Sequence, residues 1–436
     1  MMRAMGLMRV VVVVAALVAG GCAPLTLAWT ALTPQGPAAA PPALGGGPNG
    51  DAVASVERWE RARAPVLRDA LETYVYGAMP DSHALEVTSR RVLDERAFGG
   101  RARLYEYVLQ ADVRFGDETR KTRPFAMNLV APRDNPDAPV ILMQTFCPRW
   151  NAIPHPAIPR PDDARDCGDG FLSGVMTYVF GRYIATPPLE EILDRGYAVA
   201  AVYPSEFAPD NGEAGLATLN QLAAGVDDEK RRWGAIAAWG WGYSLMIDAL
   251  EREPDLSTSA YVAYGHSRYG KSALVAAAFD PRVSAVVSHQ SGAGGASLNR
   301  GKKGESVKSI TRSYPHWFAP RYAEFAGREE AMPVDQHHLL ALIAPRPVLL
   351  GNARRDVWSD PNGAFRAAMG ADPVYRLYGA GGLEQARLDE WRPHAPLAFW
   401  LRPGTHGVVE EDWPAFLEFL DAHLNGAGPA LEAAAR

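Results

Sequence analysis

The strongest constraint on this chain is a series of short runs built almost wholly from Val, Ile, Leu and Ala, separated by longer stretches of helical character. The clearest runs are Pro139 to Met143, Ala198 to Tyr203, Ala260 to Tyr264, Ala285 to Ser288 and Pro347 to Gly351. A strand with one wet face alternates apolar and polar residues. Runs without that alternation belong to strands covered on both faces, the condition of a parallel sheet enclosed by helices. Trp233 to Leu250 supplies one long helix, and the small-residue stretch after Ser267 supplies another. The order predicts an α/β fold, a three-layer sandwich around a mostly parallel central sheet. The less regular segments 144–188 and 291–338 are then insertions over the carboxyl edge of the sheet, where open α/β folds carry their sites.

The two ends of the chain differ from this body. Arg3 and Arg9 flank or precede an apolar run, Val10 to Ala19, that is too short to span a bilayer as a mature helix, so residues 1–21 read as an export signal. Ala19-Gly20-Gly21-Cys22 resembles a lipobox, with Ala19 where Leu is usual, which makes Cys22 a candidate lipid anchor. Conventional cleavage near Leu27-Ala28, or in the Ala-rich stretch beyond, is the alternative. Residues 22–50 are rich in Pro, Gly and Ala and read as a flexible linker, residues 51–425 as one catalytic domain, and residues 426–436 as a fraying tail. Export to the periplasm or outer membrane of a bacterium exposes Cys147 and Cys167 to oxidation, so the two either pair or stay as buried thiols.

Composition excludes several classes of function. With 44 Lys+Arg against 50 Asp+Glu and no long basic run, the chain lacks the electrostatic footprint of a nucleic-acid binder. The 47% hydrophobic and 22% charged fractions exclude wholesale disorder. No C-x-x-C pair supports a structural zinc site.

The chemistry centres on Ala260 to Leu274, a buried strand, a turn flanked by Gly265 and Gly270, and a small-residue helix. A serine at such a turn, Ser267, stands exposed at the sheet edge beside helix N–H groups that can hold an oxyanion. The second glycine comes one position late for the usual G-x-S-x-G pattern. A serine nucleophile needs an acid and a base, which in this fold follow it in the order Ser, Asp/Glu, His. Asp356 lies just past the strand that begins at Pro347, with Asp360 in reserve, and His406 sits in the Gly404-Thr-His-Gly407 turn before an amphipathic helix, Trp413 to Leu424. Taken alone, Asp356 could pair with Arg354 or Arg355 and His406 could be an ordinary turn histidine. Order and placement at strand ends favour a triad. His337-His338 beside Asp335, His289 and His394 read as structural or supporting histidines rather than metal ligands, because adjacent helical residues do not face one site.

Four stretches carry a family resemblance. Gly265-His-Ser-Arg268-Tyr-Gly-Lys271, Ser288-His-Gln290-Ser-Gly-Ala-Gly-Gly295, Gly304-Glu305-Ser306 and Tyr314-Pro-His-Trp317-Phe318 resemble the glucuronoyl esterases of carbohydrate esterase family 15, a likeness that extends from Tyr74 to Trp413. The resemblance implies an α/β-hydrolase, monomeric and without a metal or other cofactor. It implies cleavage of the ester between (4-O-methyl)glucuronic acid on glucuronoxylan and a lignin-type alcohol. Carried over, Ser267 is the nucleophile, His406 the base and Arg268 a donor to the oxyanion, while Lys271, Glu305 and Trp358 hold the sugar. The plain alternatives are a helix-surface Arg and Lys, a solvated Glu and a core Trp. Fungal members carry the acid where this chain has Gln290, so the acid role falls to Asp356. A xylan-active acetyl or feruloyl esterase, or a weakly catalytic carbohydrate-binding surface protein, are the competing functions.

Overall fold

The computed structural model describes residues 29–36, 41–45, 52–160, 180–258 and 260–425. The expected export signal, Cys22, Cys167 and the tail fall outside them. Cys147 is disulfide-bonded.

Ten strands form one sheet: β1 (Ser82–Arg96), β2 (Ala102–Phe115), β3 (Glu118–Lys121), β4 (Phe125–Pro132), β5 (Val140–Gln144), β6 (Ala198–Val202), β7 (Tyr261–His266), β8 (Val283–His289), β9 (Val348–Ala353) and β10 (Leu397–Arg402). Their order is β1-β2-β4-β6-β5-β7-β8-β9-β10, with β3 paired to β2. From β6 to β10 every pairing is parallel. β1 to β4 add an antiparallel wing at the other edge. The parallel part holds all five apolar runs. The wing is mixed: its edge strand β1 is mostly wet, with only Leu85 buried, while β4 is buried from Phe125 to Ala131.

Covering the parallel strands on both faces divides consecutive residues between two cores. Val140 and Leu142 point into one core with Ala198, Ala200 and Ala263, while Ile141 and Met143 point into the other with Val199, Ala201 and Val262. On the first face lie α1 (Ala235–Leu250), α2 (Arg268–Phe279) and α3 (Pro361–Leu377). The second face is covered in part by α4 (Asp412–Leu420), through Trp413, Phe416 and Leu417. Among the described residues no helix is long and apolar enough to cross a membrane.

Segments read as flexible linker lie on this body wherever they are described. Ala43 is buried, Val53 N donates to Leu44 O at 2.7 Å, and the His337 ring bonds Pro41 O at 2.7 Å. His338, its neighbour, accepts from Asp335 N at 3.1 Å in a capping box. Both histidines therefore have structural partners, and no cluster of three or more His, Cys, Asp or Glu is placed to hold a metal among the described residues.

Candidate active site

β7 ends at His266, and the chain turns into α2 at once. That turn forces Ser267 to φ 55° and ψ −120°, outside the conformations L-residues favour. The turn is so tight that a Cβ on Gly265 would lie 1.9 Å from Tyr269 O, and one on Gly270 would crowd Gly265 O and His289 O at 3.0 and 3.1 Å. Close approach thus falls on positions 265 and 270. Position 269 needs no glycine, because the Tyr269 ring packs into the core against Phe146 and Trp239, with centroids 4.8 and 5.3 Å apart. Ser267 N donates to His289 O at 2.8 Å, which ties the turn to β8.

His406 occupies the loop between β10 and α4, and its Nδ1 lies 2.7 Å from Asp356 Oδ2. A carboxylate only accepts, so the proton sits on Nδ1 and Nε2 is left as the basic nitrogen. Burial opposes ionisation of Asp356, yet His406 and the Ser359 hydroxyl and N–H outweigh it and hold the carboxyl below its ordinary range. Ser359 N donates to Asp356 Oδ1 at 3.3 Å, and Ser359 Oγ stands 3.3 Å from His406 Nδ1. The His406 ring packs 4.7 Å from that of His266, next to Ser267 in the chain. His266 is buried, and burial holds its pKa well below the ordinary range. The reserve acid Asp360 instead caps α3 by accepting from Gly363 N at 3.0 Å.

Gln290 clasps the loop of His406 from both sides. Its Nε2 donates to Thr405 O at 3.2 Å, and its Oε1 accepts from Gly407 N at 2.7 Å. An amide offers both a donor and an acceptor in that position, whereas a carboxylate would only accept.

On the other side of Ser267, Arg268 reaches into a cage of rings. Its guanidinium carbon lies 5.0, 5.5 and 5.9 Å from the centroids of Trp317, Phe146 and Tyr314, and Nη1 bonds Asp210 Oδ2. Asp210 also accepts from Trp317 Nε1 at 2.8 Å and pairs with His316 Nε2 at 2.9 Å. Burial resists the charge of Asp210, but His316, Arg268 and Trp317 prevail and bring its pKa down to about 2. Arg268 Nε is buried and has no hydrogen-bond partner among the described residues. Gln144, the last residue of β5, bonds Trp239 O and Ser272, and Thr145 Oγ1 bonds Cys147 O and Val202 O.

Lys271 is buried rather than on a helix surface, with Nζ 2.5 and 2.6 Å from Ser291 O and Ala293 O and 4.0 Å from Glu305 Oε2. Burial lowers its pKa to about 8, against the pull of Glu305. Glu305 is buried too, and its N–H donates to Trp358 O at 3.0 Å. Trp358 does not belong to the core: 52% of it is exposed. The sequence reading missed Asp210, Ser359 and the clasp made by Gln290. Backbone strain marks the region independently. Of four non-glycine residues with positive φ among those described, Ser267, Gln290 and Asp360 lie here and only Phe98 lies elsewhere.

Comparison with known proteins gives a consistent answer. Residues 200–379 match the family model "Glucuronyl esterase, fungi". The chain is 34% identical over 388 residues to carbohydrate esterase MZ0003 from an unknown prokaryotic organism, covering 87% of this chain and 88% of that one. A 4-O-methyl-glucuronoyl methylesterase of Schizophyllum commune is 36% identical over 253 residues, 51% of this chain and 64% of the relative. Among solved structures, a promiscuous CE15 esterase from a marine bacterial metagenome superposes with a TM-score of 0.74 at 30% identity, covering 90% of this chain and 98% of the other. The glucuronoyl esterase from Solibacter usitatus superposes with a TM-score of 0.71 at 31% identity, covering 89% and 99%.

Proposed function

Because this chain belongs to carbohydrate esterase family 15, the glucuronoyl esterases, we propose that it is a carboxylic ester hydrolase that cleaves the ester between (4-O-methyl)glucuronic acid of glucuronoxylan and a lignin-type alcohol, with Ser267, His406 and Asp356 as its triad. The observation that carries the residue assignment is the 2.7 Å bond from His406 to Asp356, beside a strained turn that presents Ser267.

His406 Nε2 takes the Ser267 proton as Oγ attacks the uronoyl carbonyl, and the carbonyl π electrons move onto oxygen. The N–H of Arg268, at the open N-terminus of α2, and its guanidinium then face the oxyanion. Because Asp210 and the aromatic cage fix that guanidinium beforehand, little reorganisation is needed as charge develops. Collapse expels the alkoxide, which collects the proton from His406. Water, deprotonated by His406, attacks the acyl-enzyme, and the acid is released as Ser267 recovers its proton. Lys271, Glu305 and Trp358 take the uronate ring: Trp358 offers a partly exposed aromatic face, and Glu305 and Lys271 offer buried polar atoms beside it. Export through residues 1–21, with a lipid on Cys22, completes the reading.

The test is release of benzyl alcohol from benzyl glucuronate by the enzyme beside its Ser267→Ala variant. Activity lost in the variant supports uronoyl specificity and the nucleophile together. A folded enzyme that leaves this ester intact but cleaves an acetylated xylan overturns the substrate assignment. Since one structural neighbour is described as promiscuous, acetyl esters belong in the same assay.

A further inference from the structure

We propose that the N-terminal strap, residues 29–35, is a working part of the catalytic apparatus: it staples the loop 354–360, which carries Asp356 and Trp358, together with the first turn of α3 that follows it, with Trp29 and Asn362 as positioning residues. This rests on the reading of Asp356 as the acid. The strap crosses the loop at both ends. At the entry, the Trp29 ring stacks on the guanidinium groups of Arg354 and Arg355, at 4.9 and 5.6 Å, the two residues immediately before Asp356. Thr30 N donates to Arg354 O at 2.8 Å, and Arg354 Nε donates to Thr30 O at 3.2 Å. At the exit, Asn362 bridges to the strap with both functions of its amide: Oδ1 accepts from Gln35 N at 2.8 Å and Nδ2 donates to Thr33 O at 2.9 Å. Leu388 N donates to Leu32 O at 2.9 Å, which fixes the middle of the strap to a third segment.

At the stapled loop the backbone leading to the acid is paired with the backbone leading to the base. Arg354 N donates to Arg402 O and Arg355 N to Gly404 O, both at 2.8 Å, so the approach to Asp356 is zipped to the approach to His406. Beyond that zipper Val357 and Trp358 are 38% and 52% accessible, while Asp356, Ser359 and Asp360 are buried and Asp360 holds φ 56°. A short loop with an exposed tip and a strained residue gains precision from what is laid across it. The strap supplies that brace mainly through its backbone and one aromatic ring. In Trp29 it also gives the loop an aromatic neighbour that, like Val357 and Trp358, stays partly exposed.

The experiment compares the full chain with Trp29→Ala, Trp29→Phe, Asn362→Ala and the double variant Trp29→Ala/Asn362→Ala, with Asp356→Asn as reference. kcat and KM on benzyl glucuronate are taken well below each melting temperature, and amide exchange is followed in 354–360 and in β7. The expected result is a roughly fivefold to tenfold fall in kcat for Trp29→Ala and Asn362→Ala, the scale of a misplaced rather than a missing catalytic group. The double variant falls further, Trp29→Phe stays close to the parent, and exchange quickens in the loop but not in β7. A double variant whose melting temperature drops while kcat stays within twofold of the parent overturns the proposal, provided Asp356→Asn is inactive. An Asp356→Asn enzyme of near-parental activity overturns the acid assignment instead, whatever the strap variants do.

Discussion

On one side of Ser267 stand His406 and Asp356, 2.7 Å apart on loops that Gln290 and Ser359 brace. On the other side the charge never moves. Arg268 is paired with Asp210 and enclosed by Trp317, Phe146 and Tyr314. In the proposed mechanism His406 gains and loses a proton twice per turnover, and it stands on a loop past a strand end among polar partners that tolerate both states. The fixed side keeps its charge, and it is built from aromatic mass and one half-buried ion pair. A group that stabilises developing charge is most effective when it is oriented before the charge arrives.

That contrast can be broken in order of expected effect. Ser267→Ala removes the nucleophile shared by both sides and should lower kcat on the order of 10⁴-fold or more, as acyl-transfer triads lose when their serine is removed; benzyl alcohol release measures it. Asp356→Asn leaves the shape intact but lets His406 adopt the wrong tautomer, and kcat should fall about 10³- to 10⁴-fold. Arg268→Met strikes the fixed side and should cost about 10²- to 10³-fold in kcat with a smaller change in KM, the range for loss of one oxyanion donor. Gln290→Ala unclasps the His406 loop without touching a charge, so its loss in kcat should stay within about tenfold. Equal losses from Asp356→Asn and Gln290→Ala would end the division of labour between them.

Acid sharpens the same comparison. The carboxyl of Asp210 has a pKa of about 2 in the folded chain, against about 3.9 when unfolded. The unfolded chain therefore takes up the proton first, and the stability Asp210 confers is present above pH about 4 and lost as pH falls from about 4 towards 2. Melting temperatures of Asp210→Asn should decline less across that interval than those of the parent. A parallel decline would mean that the ion pair with Arg268 adds no pH-dependent stability.

How much of this was legible in the sequence depended on how each residue does its work. Ser267, Asp356 and His406 sit at strand ends, and buried strands announce themselves as apolar runs, so position along the chain implied position in space. The α/β class was legible for the same reason, whereas the antiparallel wing was not: its edge strand β1 carries no apolar run, and the buried run of β4 is interrupted by Asn128. Asp210 lies in an irregular segment 58 residues before Arg268, with no local pattern to tie the two. Gln290 read only as a missing acid, since its service to Thr405 and Gly407 is visible only once β8 and the His406 loop are adjacent. The strap was hidden most completely. Pro, Gly and Ala content says how little a segment packs through its side chains, and this one is held mainly through backbone N–H and C=O groups.

The point where the strap docks also sets a leash. Trp29 stands seven residues from Cys22, and an extended chain covers about 3.3–3.6 Å per residue, so the span is at most about 25 Å. A lipid on Cys22 would therefore hold the mouth of the active site within about one protein radius of the bilayer. Such an enzyme would meet only esters that diffuse to the cell surface, which favours released, soluble xylan fragments over the intact plant wall. Cleavage within the Ala-rich stretch after Gly36 would discard leash and staple together, so the mass of the mature N-terminus bears on catalysis as well as on address.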